Sequence, residues 1–221
     1  YETARAGAVL GIADYRRNRN ASRTLVTVRP GAIHTDDGTT LTLGAGVVVT
    51  NAAARPWTFV QHKNVLFAAG GDVATADTAW YWDAGAGTTA TRLGILNNAG
   101  ANIEPRFLCE FGNRLFAAGF SGTDPSGNPG IVRFSALNDG LTWPIENTIG
   151  GNFAVGGFAA DSEEYVTGLS TYKNNDGRWL LVGTNRRLYP VLEGPNAAQI
   201  FTTTDEISIG CASHLLYVNP G

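Results

Sequence analysis

Short apolar runs, each closed by a polar, glycine-rich turn, set the rhythm of this 221-residue chain. Anchor runs begin near Leu25, Leu66, Leu115 and Leu180, at spacings of 41, 49 and 65 residues. Each is preceded by another short apolar stretch: VLGIADY, PWTFVQH, PRFLCEF and VTGLSTYK. Each is followed, after turn residues, by a third stretch rich in aromatic or β-branched residues: AIHT, AWYWD, IVRFSA and RLYPVL. No 3.6-residue apolar period lasts more than about two turns, so the pattern predicts strands and an all-β chain.

One phrase is written twice. NVLFAAGG at 64–71 returns as NRLFAAGF at 113–120, 49 residues on. Repeats of roughly 40 to 50 residues, each a small antiparallel sheet, are the pattern of a β-propeller. The physical reason is that a small sheet has two apolar faces and cannot shield both alone. A β-sandwich has a comparable strand rhythm, but the internal repeat favours the propeller. The expected blades are 9–50, 56–100, 105–150 and 165–205, with a further one opening at 206–221, so that the circle is incomplete within this chain. The repeated phrase is expected on the inner strand of successive blades, where Ala and Gly permit close approach.

Composition narrows the picture. Hydrophobic residues make up 43% of the chain, which is enough for a core. Charged residues make up only 16%, against roughly 25% for an average soluble domain, which points to surface covered by a neighbour or coated by Thr, Asn and Gly. No run of 18 apolar residues exists to cross a membrane as a helix. The net charge of −3 lacks the basic excess of nucleic-acid binders. Arginine outnumbers lysine 14 to 2, which suits planar pairing with carboxylates at interfaces. Cys109 and Cys211 lack metal-ligand spacing and are expected as two buried thiols rather than a disulfide. The absence of Met, even at position 1, predicts a processed product or a piece of a longer chain.

Candidate chemistry is sparse. The stretch SALNDGLTW, 135–143, resembles the Asp-box hairpin of sialidase-type propellers, with Asn138, Gly140, Thr142 and Trp143 on its later positions, Asn138 in place of the Asp, and Ser135 one residue early. In such hairpins an acidic or amide side chain caps backbone N–H groups of its own turn. That is a device of the fold and not of catalysis. Glu163 to Tyr165 offers a nominal Tyr–Glu pair, but the Arg-Ile-Pro opening of sialidases is missing, and a solvated turn is the expectation. His34, His62 and His214 stand in no metal or nucleophile arrangement. The acidic turns TDDGT, 35–39, and NNDG, 174–177, are read as hairpin turns and not as Ca²⁺ loops. No phosphate-binding or dinucleotide loop occurs, so no catalytic, metal or cofactor-binding residue is assigned.

Asn113 to Gly119, Ile131 to Leu137 and Asp139 to Trp143, with the earlier copy Asn64 to Gly70, the segment Thr88 to Gly94 and the late segment Glu206 to Ser213, carry a likeness. The chain resembles β-propeller tail proteins of short-tailed bacteriophages, of the tail nozzle type. The resemblance implies a non-enzymatic virion component that forms a homo-oligomeric ring, commonly sixfold, below portal and adaptor proteins. DNA would pass through its channel during ejection without specific binding. Two other readings remain: a glycan-binding or glycan-cleaving propeller for receptor recognition, and a protein-binding propeller scaffold. For the glycan reading the candidates are the aromatics Trp80, Tyr81 and Trp82, because adjacent rings on a strand point to opposite faces. The other tryptophans, Trp57, Trp143 and Trp179, are expected between blades.

Overall fold

A computed structural model describes residues 8–50, 56–70, 77–97, 100–120, 130–144, 151–155, 164–174, 177–196 and 199–203. Sixteen strands and no helix occur among the described residues. They fall into two compact units, one formed by residues 1–94 with 104–106 and the other by 95–103 with 107–221.

The first unit contains two sheets. Strands β1 (Gly11–Tyr15), β2 (Thr24–Arg29) and β3 (Ala32–Thr35) form an antiparallel meander. The second sheet runs in the order β4 (Thr42–Leu43), β8 (Thr89–Arg92), β7 (Trp80–Trp82), β6 (Val65–Ala69), β5 (Thr58–His62). Among the described residues, only the β4–β8 pair is parallel. The alternating burial of β1 and β2 follows the two-residue side-chain period. Ala13, Tyr15, Val26, Val28 and Ile33 of the first sheet share one core with Trp57, Leu66, Ala68, Trp80, Trp82 and Ala90. Buried carboxylates hold the connections. Asp77 accepts from the Thr50 N–H at 2.5 Å and the Thr50 hydroxyl at 2.8 Å. Glu104 accepts from the Ala79 N–H at 2.7 Å and from Arg92 at 2.5 and 2.9 Å.

The second unit also contains two sheets, both antiparallel meanders. One is β9 (Phe107–Phe111), β10 (Arg114–Ala118), β11 (Ile131–Phe134) and β12 (Gly151–Ala154). The other is β13 (Val166–Asn174), β14 (Gly177–Thr184), β15 (Leu188–Asn196) and β16 (Gln199–Thr203). Their shared core joins Phe107, Cys109, Phe111, Phe116, Val132 and Phe134 to Val166, Leu180, Val182, Tyr189 and Val191. Cys109 is a free, buried thiol; Cys211 lies outside the described residues.

The two copies of the repeated phrase are β6 and β10. Each is the second strand of its sheet, paired on both sides: β6 with β5 and β7, β10 with β9 and β11. This corrects the expectation of an inner strand, because neither copy is an edge. The small residues serve the neighbouring strand instead. Ala68 stands opposite Trp80 and Ala117 opposite Arg133, so a methyl group on the central strand leaves room for a bulky partner.

Candidate functional site

The Asp-box-like segment follows β11 and closes on itself. The Ala136 N–H donates to the Thr142 carbonyl at 2.9 Å, and the Asp139 N–H to the Ala136 carbonyl at 3.2 Å. The capping side chain is Asp139, not Asn138 as the sequence pattern suggested. Asp139 Oδ1 accepts from the N–H groups of Leu141 and Thr142 at 2.8 and 3.3 Å, and Oδ2 accepts from the Thr142 hydroxyl at 2.7 Å. Asn138 supplies backbone shape, with φ of 59°, a left-handed conformation Asn tolerates better than most residues. Its N–H donates to the Asn113 carbonyl at 2.8 Å, which ties the loop to the β9–β10 turn. The buried Trp143 ring donates from Nε1 to the Gly140 carbonyl at 2.9 Å. Buried Ser135 accepts the Leu115 N–H on Oγ at 2.9 Å, extending the β10 ladder by a side chain. The signal for Asp139 was the Asp139-Gly140 pair itself, which the one-residue offset of the motif obscured.

The aromatic triplet is divided by the pleat. Trp80 and Trp82 are 0% and 5% exposed and belong to the core of the first unit. They are not exposed sugar-stacking rings, because even-numbered positions of β7 face that core. Trp80 meets the rings of Trp57 and Phe59 at 6.2 and 6.3 Å, and Trp82 meets Tyr15 at 5.2 Å. Trp82 Nε1 donates to the Gly87 carbonyl at 2.8 Å. Tyr81 alone faces the other side, half-buried against Phe67 with ring centroids 6.0 Å apart.

A carboxylate–tyrosine contact does exist, though not the one the sequence suggested. Buried Glu164 accepts on Oε1 from the Thr184 hydroxyl at 2.5 Å and from the Tyr189 hydroxyl at 3.1 Å. Tyr165 instead is partly exposed, its N–H donating to Asn185 Oδ1 at 3.1 Å, and Glu163 lies outside the described residues. Burial pushes the Tyr189 phenol up, so it stays a hydrogen-bond donor at neutral pH and not a nucleophile. The cluster pins the β14–β15 turn, where the Arg187 N–H also donates to Thr184 Oγ1 at 2.9 Å.

The acidic turn at 35–39 is likewise self-satisfied. Asp37 Oδ1 accepts from the Thr35 hydroxyl at 2.6 Å and the Thr39 N–H at 2.9 Å. The Thr35 hydroxyl, then the Thr39 N–H, hold its carboxyl below the usual range. The second acidic turn lies partly outside the described residues, as does His214. Of the other histidines, His62 is buried and His34 bonds Thr40 Oγ1 through Nδ1 at 2.9 Å. Among the described residues no three His, Cys, Asp or Glu side chains converge on a common point.

No protein-family model matches the chain, and no curated protein matches it significantly.

Proposed function

We propose that the four sheets are blades of a β-propeller and that the protein is a structural ring subunit, similar to the nozzle proteins of short-tailed phage tails, which assembles through its terminal blades. The observation that carries this reading is how burial divides between middle and terminal sheets. In the sheet of β9 to β12, residues of both faces are buried: Phe107, Phe116 and Phe134 on one side, Leu108, Leu115 and Ala117 on the other. In the sheet of β5 to β8, Leu66 and Trp80 are buried on one face, and Phe67 and Ala69 on the other. The terminal sheets differ. The first leaves Ile12 59% and Leu25 42% exposed on the face away from its core, and the last leaves Tyr172 40% exposed. Around Tyr172 the same face of the last sheet carries half-buried Trp179, Leu181, Pro190 and Leu192.

A propeller covers both faces of every blade with neighbouring blades. Apolar faces left over at the two terminal sheets are what a second copy of the chain would cover, and large apolar patches mark such contacts. The low charge content and the arginine bias fit interface surface. The role is mechanical and non-enzymatic: a stiff ring around a channel for DNA, in contact with portal, adaptor and other tail proteins in the virion.

Mass photometry with negative-stain imaging of the purified chain tests the proposal. The expected result is a ring of uniform size that Ile12→Asp and Tyr172→Asp convert to smaller species. A monodisperse monomer at all concentrations, or rings indifferent to both substitutions, overturns it.

A further inference from the structure

Three turns meet at one end of the first unit and gather five cations. The β1–β2 turn contains Arg16, Arg17, Arg19 and Arg23, all exposed, with Asn18 and Asn20 between them. The β5–β6 turn adds exposed Lys63. Their placement is built in. Gln61 grips Arg16 by both main-chain groups, accepting its N–H at 3.1 Å and donating to its carbonyl at 2.5 Å. The same amide donates to the Lys63 carbonyl at 3.1 Å. Tyr15 anchors the base, its hydroxyl donating to the Asn64 carbonyl at 2.5 Å while its ring packs on Trp82. Arg17 reaches over the β7–β8 turn to Asp83 at 3.9 Å, its guanidinium lying against Gly85.

The charge balance is lopsided. Arg23 pairs with Asp14 at 2.8 Å and Arg17 with Asp83, whereas Arg16 and Arg19 have no ion-pair partner among the described residues. The four arginines against these two carboxylates leave the β1–β2 turn and its ion-pair partners at +2. The other twelve cations, Lys63 among them, and seventeen acids leave the rest of the chain at −5, together the −3 of the whole. A cationic tip on an acidic body attracts a polyanion while the body repels it, which confines contact to that end.

We propose that this tip docks the phosphodiester backbone of DNA. Guanidinium forks match phosphate oxygens bidentately, and the Asn side chains between them add neutral donors. The turn carries no large apolar side chain to insert into a lipid layer. Its open, unpacked arginines suit a hydrated backbone better than the shaped surface of an acidic protein. With so few contacts the attachment is weak, reversible and screened by salt, so a strand can move past it. The inference does not depend on ring formation, and the two fail separately.

Fluorescence anisotropy of a labelled duplex of about 20 base pairs, titrated with the full chain from about 25 to 150 mM salt, tests it. Binding is expected at the low end and should fall steeply with salt. Arg16→Gln with Arg19→Gln should weaken it roughly tenfold at low salt and flatten the log–log salt slope by about 1.8. Lys173→Gln with Arg186→Gln, the same charge change at exposed positions of the other unit, should leave it intact. Both tip side chains are solvent-exposed, and an unchanged melting temperature shows that the double variant folds. No duplex binding at low salt overturns the proposal. So does binding that ignores the double substitution, or tighter binding to polyglutamate or anionic vesicles than to the duplex.

Discussion

The sheets built on β6 and β10 use the same phrase in the same register and reach different solutions around it. Leu66 stands opposite Gln61 and Leu115 opposite Glu110; Phe67 stands opposite Val60 and Phe116 opposite Cys109. All four of these strand residues are at most 1% exposed. On the third strand the equivalence of residue type ends. Where one copy has Trp80, Tyr81 and Trp82, the other has Arg133, Phe134 and Ser135. The first sheet turns its Leu66 and Ala68 face to the tryptophan-rich core. The second turns its Phe116 and Ala118 face to a core of phenylalanines. A repeat unit thus preserves the strand that must be small and straight and varies the strand that fills the space beside it.

The largest test of this contrast is Trp80→Ala. Trp80 is fully buried and meets two other aromatic rings, so its removal empties a cavity that Ala68 cannot fill. The expected loss is about 4 kcal/mol, read as a lowered urea midpoint. A loss below about 1 kcal/mol would mean that the alanines of β6 do not serve to make room for the third strand.

The closing glycines of the phrase separate two reasons for one residue. At Gly70 a Cβ would lie 2.5 Å from the Trp57 ring, so the demand is for space. At Gly119 the backbone has φ of 67°, so the demand is conformational. Gly70→Ala should cost about 2 kcal/mol, typical of overpacking, and Gly119→Ala about 1 kcal/mol. Adding Trp57→Phe should recover part of the first loss and none of the second. Equal recovery at both sites would break the distinction.

The turns after the third strands answer to smaller forces. Asp83 Oδ1 accepts the Gly85 N–H at 2.8 Å, as Asp139 Oδ1 accepts the Leu141 N–H. Only Asp139 also takes a hydroxyl. Asp139→Ala should therefore lower stability by about 1 kcal/mol, and Asp139→Asn should recover part of it. Equal stability of Asp139→Ala and the parent chain would remove the capping role.

The strand pattern was readable because a two-residue period and turn residues leave direct marks in a sequence. The anchors at Leu66 and Leu115 lie on paired central strands for that reason. What sequence could not supply was neighbourhood. Trp80 and Trp82 were open to a surface reading because a hydrophobic pattern does not say which face another sheet will cover. Asp139 was hidden because a loop's capping residue depends on where the backbone turns, and the left-handed step at Asn138 moves it by one. The cationic tip is invisible in the net charge, which averages over a chain whose turns are brought together only by folding.

The smallest expected effect belongs to Cys109, which occupies the place held by Val60 in the other copy. Burial, with the Glu110 carboxylate adding to it, pushes its thiol up to about 12. The folded chain therefore keeps a proton that the unfolded chain releases from about pH 9. A raised thiol pKa means that the unfolded state binds fewer protons in that window, so this contribution is present below pH 9 and declines as pH rises towards 12. Cys109→Val should be within about 1 kcal/mol of the parent at pH 7, since the first copy already fills that position with valine. At pH 10 it should gain about 1 kcal/mol on the parent, because valine has no proton to lose. Peptide mapping after alkylation at pH 8 should show Cys109 unmodified until denaturant is added. Rapid labelling in the native state, or a valine variant that follows the parent through the alkaline range, would place the thiol near solvent and end its equivalence with Val60.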